Sequence, residues 1–190
     1  MKSKIIIFTQ FFLIICGCKN EDERWLSFIG DSEVARWDLQ FYFPNLLTEN
    51  KGKSASGIDY IKSMAYSMTG KDVVVLFGTN DIYKLTNEAK LNEYVAEYIN
   101  AITSLNADNT YLISIFPRNF NNEGKGINKK IEELNDRIKQ EAIKQNITFV
   151  DVYSKLLKDE SINMQYSYDG LHLNNYGYEL LTYELNKYLK

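Results

Sequence analysis

The residues of this sequence that could do chemistry lie in three short polar clusters. Gly30-Asp31-Ser32 and Gly78-Thr79-Asn80-Asp81 each follow an apolar run, and a third cluster at residues 169–174 precedes the last helical pattern. A serine hydroxyl is a weak nucleophile that needs a neighbouring base. His172 is the only histidine of the chain, and Asp169 could accept its Nδ1–H and fix the tautomer. These residue types in this arrangement indicate a nucleophile, Ser32, with a base and an orienting carboxylate.

Each of these residues also has a structural interpretation. Ser32 could be the N-cap of a helix, because Glu-Val-Ala-Arg follows it. His172 could be a hydrogen-bonded structural histidine, and Asp169-Gly170 could form a simple turn. We favour the chemical interpretation because all three clusters stand where a predicted strand ends or a predicted helix begins.

Apolar runs and helical stripes alternate along the chain, and they predict the elements that must position these clusters. Strands are predicted at residues 25–29, 72–77, 110–116 and 147–150, with a weaker candidate at 45–49. Helices are predicted from apolar residues at helical spacing over 58–68, 91–102, 127–143 and 176–189. Continuously apolar strands that alternate with helices imply a parallel sheet that is covered on both faces.

We therefore predict an α/β fold, a three-layer α/β/α arrangement of the flavodoxin-like type around a five-stranded parallel sheet of order 2-1-3-4-5. One domain, residues 25–190, accounts for all of these elements. Ligands bind such sheets at the carboxyl ends of the strands, near the point where the strand order reverses. The first two clusters lie side by side at that edge, and the third reaches them if the last helix packs back across it.

Composition and charge exclude several classes of protein and of site. A net charge of −3 gives no basic footprint for nucleic acid. The two cysteines, Cys16 and Cys18, lie at the N-terminal end, so no disulfide framework is expected in the domain. A single histidine excludes most multi-histidine metal sites, and we expect neither a metal nor an organic cofactor.

The N-terminal segment has the features of a bacterial export signal. Lys2 and Lys4 precede an apolar run at 5–16, which is shorter than the roughly 20 residues that span a bilayer. Ile15-Cys16-Gly17-Cys18 resembles a lipobox with cleavage before Cys18. We therefore expect a signal peptide at 1–17, lipid on Cys18, a polar tether at 18–24 and a membrane-anchored lipoprotein of the cell envelope. A plain secretory signal and an uncleaved anchor are the alternatives.

The polar clusters together resemble the sequence blocks of one enzyme family. Residues 28–32 (FIGDS), 78–81 (GTND) and 169–174 (DGLHLN) resemble blocks one, three and five of the SGNH, or GDSL-type, hydrolases. Ser56-Gly57 stands where that family has its block-two glycine. Phe116-Pro117-Arg118 and Asn135 resemble the segment after strand four in the platelet-activating-factor acetylhydrolase-like branch. The resemblance covers residues 25–190.

The resemblance implies a role for each matched residue. Ser32 is expected to be the nucleophile, His172 the base and Asp169 its orienting acid. The oxyanion hole is expected to consist of the Ser32 N–H, the Gly57 N–H and the Asn80 side-chain amide.

Two features depart from the family pattern. Glu33 follows the serine where an apolar residue is frequent, so that its carboxylate either shapes specificity or points to solvent. The residues before Gly57, Lys53 to Ser56, match block two only loosely.

The expected activity is hydrolysis of carboxylic esters through an acyl-enzyme. A small domain with little lid material favours short acyl groups such as acetyl, and export to the envelope favours carbohydrate or envelope glycan as the alcohol. Two alternatives stay open: an acyltransferase with the same triad, and a non-catalytic glycan-binding lipoprotein.

Overall fold

The computed structural model of the chain describes residues 25–123 and 126–189. The predicted signal peptide at 1–17, the lipidation site Cys18 and the tether at 18–24 lie outside the described residues and stay predictions, which the mass of the mature N terminus would test. Within the two described ranges, no helix has both the length and the apolar character that a membrane crossing requires.

Five parallel strands form the central sheet, in the order β2-β1-β3-β4-β5. The strands are β1 Leu26–Gly30, β2 Thr48–Gly52, β3 Asp72–Leu76, β4 Asn109–Ile113 and β5 Thr148–Val150. The predicted fold and strand order are confirmed. The weak strand candidate at 45–49 was placed too early, since β2 begins at Thr48. This edge strand is half-buried or exposed along its length, and it lacks the apolar run that revealed the other four.

Helices connect the strands and close the chain. Their bounds are α1 Ser32–Arg36, α2 Leu39–Tyr42, α3 Ile58–Lys62, α4 Glu88–Thr103, α5 Gly126–Lys144, α6 Tyr153–Leu156 and α7 Asn175–Asn186. Two 3₁₀ turns, Ile82–Lys84 and Phe120–Asn122, and an antiparallel ribbon of β6 Leu157–Lys158 and β7 Ser161–Ile162 complete the described elements. The ribbon, α2 and α6 have no counterpart in the sequence prediction, because elements of two to four residues carry too little periodicity.

The two faces of the sheet carry separate apolar cores. Successive residues of a strand point to opposite faces, so Phe28 and Val74 enter one core while Ile29 and Val75 enter the other. Residues of α3, α4 and α5 pack in the core of Ile29, and residues of α1, α2 and α7 pack in the core of Phe28. The sheet is therefore covered on both sides, as the three-layer prediction requires.

Beyond β4 the chain continues towards the carboxyl edge of the sheet, although its regular pairing with the neighbouring strands has ended. Ser114 N still donates to Val150 O at 3.0 Å. At the next residue the buried side chain of Asn135 on α5 replaces the neighbouring strand, because its Oδ1 accepts from Ile115 N at 2.8 Å and its Nδ2 donates to Ile115 O at 2.9 Å. The predicted strand at 110–116 therefore extends too far.

Candidate active site

Ser32 is placed at the carboxyl edge of the sheet by a tight turn out of β1. Asp31 follows that strand and caps α1, since its side chain accepts from Glu33 N at 3.0 Å. Ser32 is the first residue of α1, and capping does not use its hydroxyl. The N-cap interpretation of Ser32 is therefore wrong, because Asp31 fills that position.

The loop before α7 carries His172, and hydrogen bonds within the loop hold it in one conformation. Asp169 Oδ1 accepts from Leu171 N at 2.9 Å and from His172 N at 2.7 Å. Ser167 Oγ accepts from Gly170 N at 2.9 Å and donates to His172 O at 2.7 Å. Gly170 has a φ of +81°, a left-handed conformation that glycine adopts without strain. The loop thus fixes the imidazole and its carboxylate relative to each other.

The side chains of Ser32, His172 and Asp169 converge into one hydrogen-bonded chain. Ser32 Oγ lies 3.1 Å from His172 Nε2, and His172 Nδ1 lies 2.7 Å from Asp169 Oδ2. Because a carboxylate only accepts, we assign the ring proton to Nδ1, which leaves Nε2 to accept from the serine hydroxyl. The predicted convergence of these residues is confirmed, and the arrangement can transfer the hydroxyl proton to the imidazole.

Asp169 is held in its charged form. Burial opposes its ionisation, but the ring of His172 and the backbone N–H groups of His172 and Leu171 outweigh this effect and keep the pKa of Asp169 below its ordinary value. A charged acceptor at Nδ1 stabilises the imidazolium that forms when His172 takes a proton.

Gly57 stands against the loop after β3, and the contact is too close for any side chain. A Cβ on Gly57 would lie 2.4 Å from Asp81 Oδ2. The buried carboxylate of Asp81 accepts from Ile58 N at 2.9 Å, from Tyr94 Oη at 3.1 Å and from Lys84 Nζ at 2.6 Å. Asp81 therefore joins the backbone at Gly57 to the loop that follows β3.

Asn80 is tied to the same backbone. Its Nδ2 donates to Ser56 O at 2.8 Å. An amide nitrogen carries two hydrogens, so Asn80 has a second donor for another acceptor. The Ser32 N–H, first in α1, has no helical acceptor, as is usual in the first turn of a helix. The Ser32 N–H, the Gly57 N–H and the Asn80 amide belong to segments that meet at the carboxyl edge of the sheet. Hydrogen-bond donors placed in this way can stabilise an oxyanion.

The segment after β4 holds the Asn80 loop from the other side. The buried guanidinium of Arg118 donates to Thr79 O at 3.0 Å and to Thr79 Oγ1 at 2.9 Å, and it pairs with Glu123 through bonds of 2.6 and 2.7 Å. Asn128 on α5 binds the Arg118 backbone at both its N–H and its carbonyl group. Because Thr79 precedes Asn80, this network fixes the loop that carries the amide.

Three residues of the site region were missed or left open by the sequence analysis. Glu33 does not point to solvent, since it is only 4% exposed. Asn128 had a usable signal: it lies seven residues before Asn135, hence on the same face of α5, in an otherwise apolar stripe. Tyr178 had none, because a tyrosine in an apolar stripe predicts only packing.

The carboxyl group of Asp31, next to the nucleophile, is buried. Burial raises the pKa of Asp31 to about 6, and the nearby charge of Asp81 adds to this effect while the Glu33 N–H opposes it. In the part of the chain that the structure describes, no group of three His, Cys, Asp or Glu residues could hold a metal ion.

Two exposed tyrosines, Tyr83 and Tyr168, flank these residues, and each is 57% exposed. The ring of Tyr168 lies 5.8 Å from the ring of His172 with an angle of 13° between their planes, and its hydroxyl accepts a hydrogen bond from Arg36. The guanidinium of Arg118 lies 5.4 Å from the ring centroid of Tyr83. Both rings are thus held in place by protein contacts while a large part of each side chain is open to solvent.

Comparison with known sequences gives a family match over most of the chain. The sequence model of the GDSL-like Lipase/Acylhydrolase family matches residues 21–180. The N-acylneuraminate cytidylyltransferase of Escherichia coli O18:K1:H7 is 32% identical over 179 residues, which cover 87% of this chain. This chain spans 40% of the length of that relative.

Solved structures share the fold. A protein from Streptococcus pneumoniae described as a platelet activating factor has a TM-score of 0.71 and 28% identity, with 87% of this chain and 83% of that chain covered. An acetyl xylan esterase from Geobacillus stearothermophilus has a TM-score of 0.66 and 20% identity, with 86% and 93% covered. The match over residues 21–180 shows that the chain belongs to the GDSL-like Lipase/Acylhydrolase family, the SGNH or GDSL-type hydrolases, and the shared fold agrees with this.

Proposed function

We propose that the protein is a serine esterase that hydrolyses short-acyl esters, chiefly acetyl esters on carbohydrate, through an acyl-enzyme. One observation carries this proposal: Ser32 Oγ is 3.1 Å from His172 Nε2, and His172 Nδ1 is 2.7 Å from Asp169 Oδ2. A hydroxyl, a base and an orienting carboxylate in this order form the arrangement that activates a serine nucleophile.

The reaction proceeds in two half-reactions. His172 Nε2 takes the Ser32 proton while Oγ bonds to the ester carbonyl carbon, and the imidazolium then protonates the leaving alcohol, so that an acyl group remains on Oγ. Water next loses a proton to Nε2 and adds its oxygen to the acyl carbon. The bond to Oγ breaks, the carboxylic acid leaves, and the proton returns to Ser32. Asp169 holds the ring in place and stays charged throughout.

Asn80 is proposed to donate to the oxyanion, together with the Ser32 and Gly57 N–H groups. We expect Asn80→Ala to lower kcat for p-nitrophenyl acetate about 10²- to 10³-fold with little change in KM, because the lost hydrogen bond forms fully only in the transition state. Steady-state kinetics would measure this, with Asn100→Ala on the exposed side of α4 as the control. An unchanged kcat in the Asn80 variant would remove this residue from the oxyanion hole.

Carbohydrate as the alcohol is supported by named relatives and by the rim of the site. The names of two similar proteins, N-acylneuraminate cytidylyltransferase and acetyl xylan esterase, both refer to acylated sugars. The C–H face of a sugar ring packs on the electron-rich face of an aromatic ring. Tyr83 and Tyr168 supply such rings beside the loops of Asn80 and His172.

We expect Tyr83→Ala and Tyr168→Ala to raise KM for an acetylated xylo-oligosaccharide about 10-fold each, since a buried aromatic contact contributes on the order of 1 kcal/mol. The same variants should leave KM for p-nitrophenyl acetate within about 3-fold, because that ester is too small to reach both rings. Kinetics on the two substrates would measure the difference. Tyr66→Ala is the matched control, since Tyr66 is 76% exposed and its backbone N–H donates to Ser104 O at the end of α4, away from the site. Equal effects on both substrates would contradict a sugar-binding role.

The acyl acceptor distinguishes hydrolysis from acyl transfer. An acyl-enzyme can be discharged by a sugar hydroxyl instead of water, and the product then is a new ester. Mass spectrometry of the products formed with an added unacetylated oligosaccharide tests this, and release of acetate alone supports the esterase.

A further inference from the structure

Glu33 is a buried carboxyl group between the nucleophile helix and the loop of His172. It directly follows Ser32. Its Oε2 lies 3.4 Å from Leu173 N and 3.1 Å from Tyr178 Oη, and its carbonyl oxygen lies 2.8 Å from Tyr178 Oη. One side chain therefore joins α1, the His172 loop and α7.

The surroundings of the Glu33 carboxyl group, which is 4% exposed, favour its neutral form. The Tyr178 hydroxyl has one hydrogen, and the Glu33 carbonyl oxygen can only accept it. That hydrogen is shared between the carbonyl oxygen and Oε2, and Leu173 N donates to Oε2 over a long 3.4 Å, so a carboxylate here would be weakly hydrogen-bonded. Ionisation would also place negative charge on Oε1. This atom is buried and has no hydrogen-bond partner in the described ranges.

The charged groups around Glu33 do not compensate a negative charge on it. Asp31 is a second buried carboxyl group two residues away. Arg36, one turn further along α1, is exposed, and it lowers the pKa of Glu33 less than any other group that acts on it. Arg118 lines the same cavity as Glu33 but is paired with Glu123, and the cavity, of about 10 Å³, has room for only about one water molecule. Arg118 therefore forms its salt bridge with Glu123 and not with Glu33.

We propose that Glu33 is a pH-sensitive positioning residue, whose protonated carboxyl group holds the nucleophile helix against the His172 loop and whose ionisation at alkaline pH separates them. An unpaired buried anion lowers its energy by moving to solvent, and this movement breaks the contacts to Leu173 and Tyr178. The inference rests on the proposed roles of Ser32 and His172 where it concerns activity.

The direction of the pH dependence follows from the two states of Glu33. Burial, with a further contribution from Asp31, raises the pKa of Glu33 from 4.5 to about 8 in the folded protein. The folded state therefore keeps a proton that the unfolded state loses above pH 4.5. Stability from the protonated group is fully present below pH 4.5 and is lost as the pH rises through about 8.

The test is the pH profile of kcat for wild type and Glu33→Gln. We expect the wild-type kcat to fall about 10-fold between pH 7.5 and 9.5, and the variant to stay within about 3-fold over that range, after correction for spontaneous hydrolysis. The amide is neutral at every pH, and its oxygen can accept from Leu173 N and Tyr178 Oη in the place of Oε2. Glu184→Gln is the control, because Glu184 is also buried but pairs with Lys187 at the far end of α7.

Thermal unfolding gives a second readout that needs no activity. The wild-type Tm should fall between pH 6 and pH 9 by several degrees more than the Tm of Glu33→Gln. If the amide variant does not fold, Glu33→Leu replaces it, and this variant should show a lower kcat at every pH with no alkaline inflection. The same alkaline inflection in wild type and variant, or none in wild type, would overturn the proposal. Loss of the proposed esterase activity alone would leave the Tm comparison standing.

Discussion

Replacing Ser32 with alanine is expected to lower kcat/KM for p-nitrophenyl acetate by about 10⁴-fold or more, the size of effect seen when the nucleophile of a comparable triad is removed. The physical reason is that no acyl-enzyme can form without Oγ, and His172 has no other hydroxyl within the hydrogen-bonded chain. Steady-state and pre-steady-state assays would measure the loss, including the disappearance of any burst of p-nitrophenol.

The fold should survive this substitution. Alanine fits the first turn of α1, and the cap of that helix belongs to Asp31 rather than to Ser32. Circular dichroism and the Tm should therefore match wild type within about 2 °C, since no cap and no buried apolar contact is lost. Wild-type turnover by the folded Ser32→Ala protein would exclude a serine mechanism and favour the glycan-binding alternative.

The positions of the chemical groups could be predicted because they lie at strand ends. The strands β1 and β3 are mostly apolar, and the apolar run of each is followed by a glycine, Gly30 or Gly78, so the sequence shows approximately where each ends. In a parallel sheet those ends share one edge, and so Ser32 and Asn80 had to be neighbours. His172 lies 140 residues from Ser32. Its position at the same edge could be predicted only from the resemblance and from the expected packing of the last helix.

The environment of Glu33 could not be predicted, because its partners are distant in the sequence. A carboxylate on a short helix is exposed in most proteins, and the sequence around it gives no sign of burial. Leu173 and Tyr178, which surround it, are brought to α1 only by the packing of α7. The second strand was misplaced for a related reason, since the edge strand Thr48–Gly52 consists of polar residues and glycine and carries no apolar pattern.

Substituting His172 with glutamine should lower kcat/KM by about 10⁴-fold, because the amide cannot take up the Ser32 proton. The neutral imidazole is the reactive form of the base, so wild-type activity should also fall towards acid pH, and this dependence should vanish from the residual activity of the variant. Asp169→Asn is the matched comparison. It retains Ser32 and His172 but places an amide at Nδ1, which favours the other tautomer and should also cost about 10⁴-fold in kcat.

Because the chain has a single histidine, the fall of kcat/KM towards acid pH (the acid limb of the pH profile) can be assigned directly. In protein without a tag, every imidazole resonance belongs to His172. Its titration by NMR should follow the acid limb of kcat/KM, since both would report the protonation of one ring in the free enzyme. Asp31, whose pKa is raised to about 6, is the other group that could shape this limb. If activity and the imidazole signal titrate separately, and the His172→Gln variant keeps the acid limb, then Asp31 rather than the proposed base controls it.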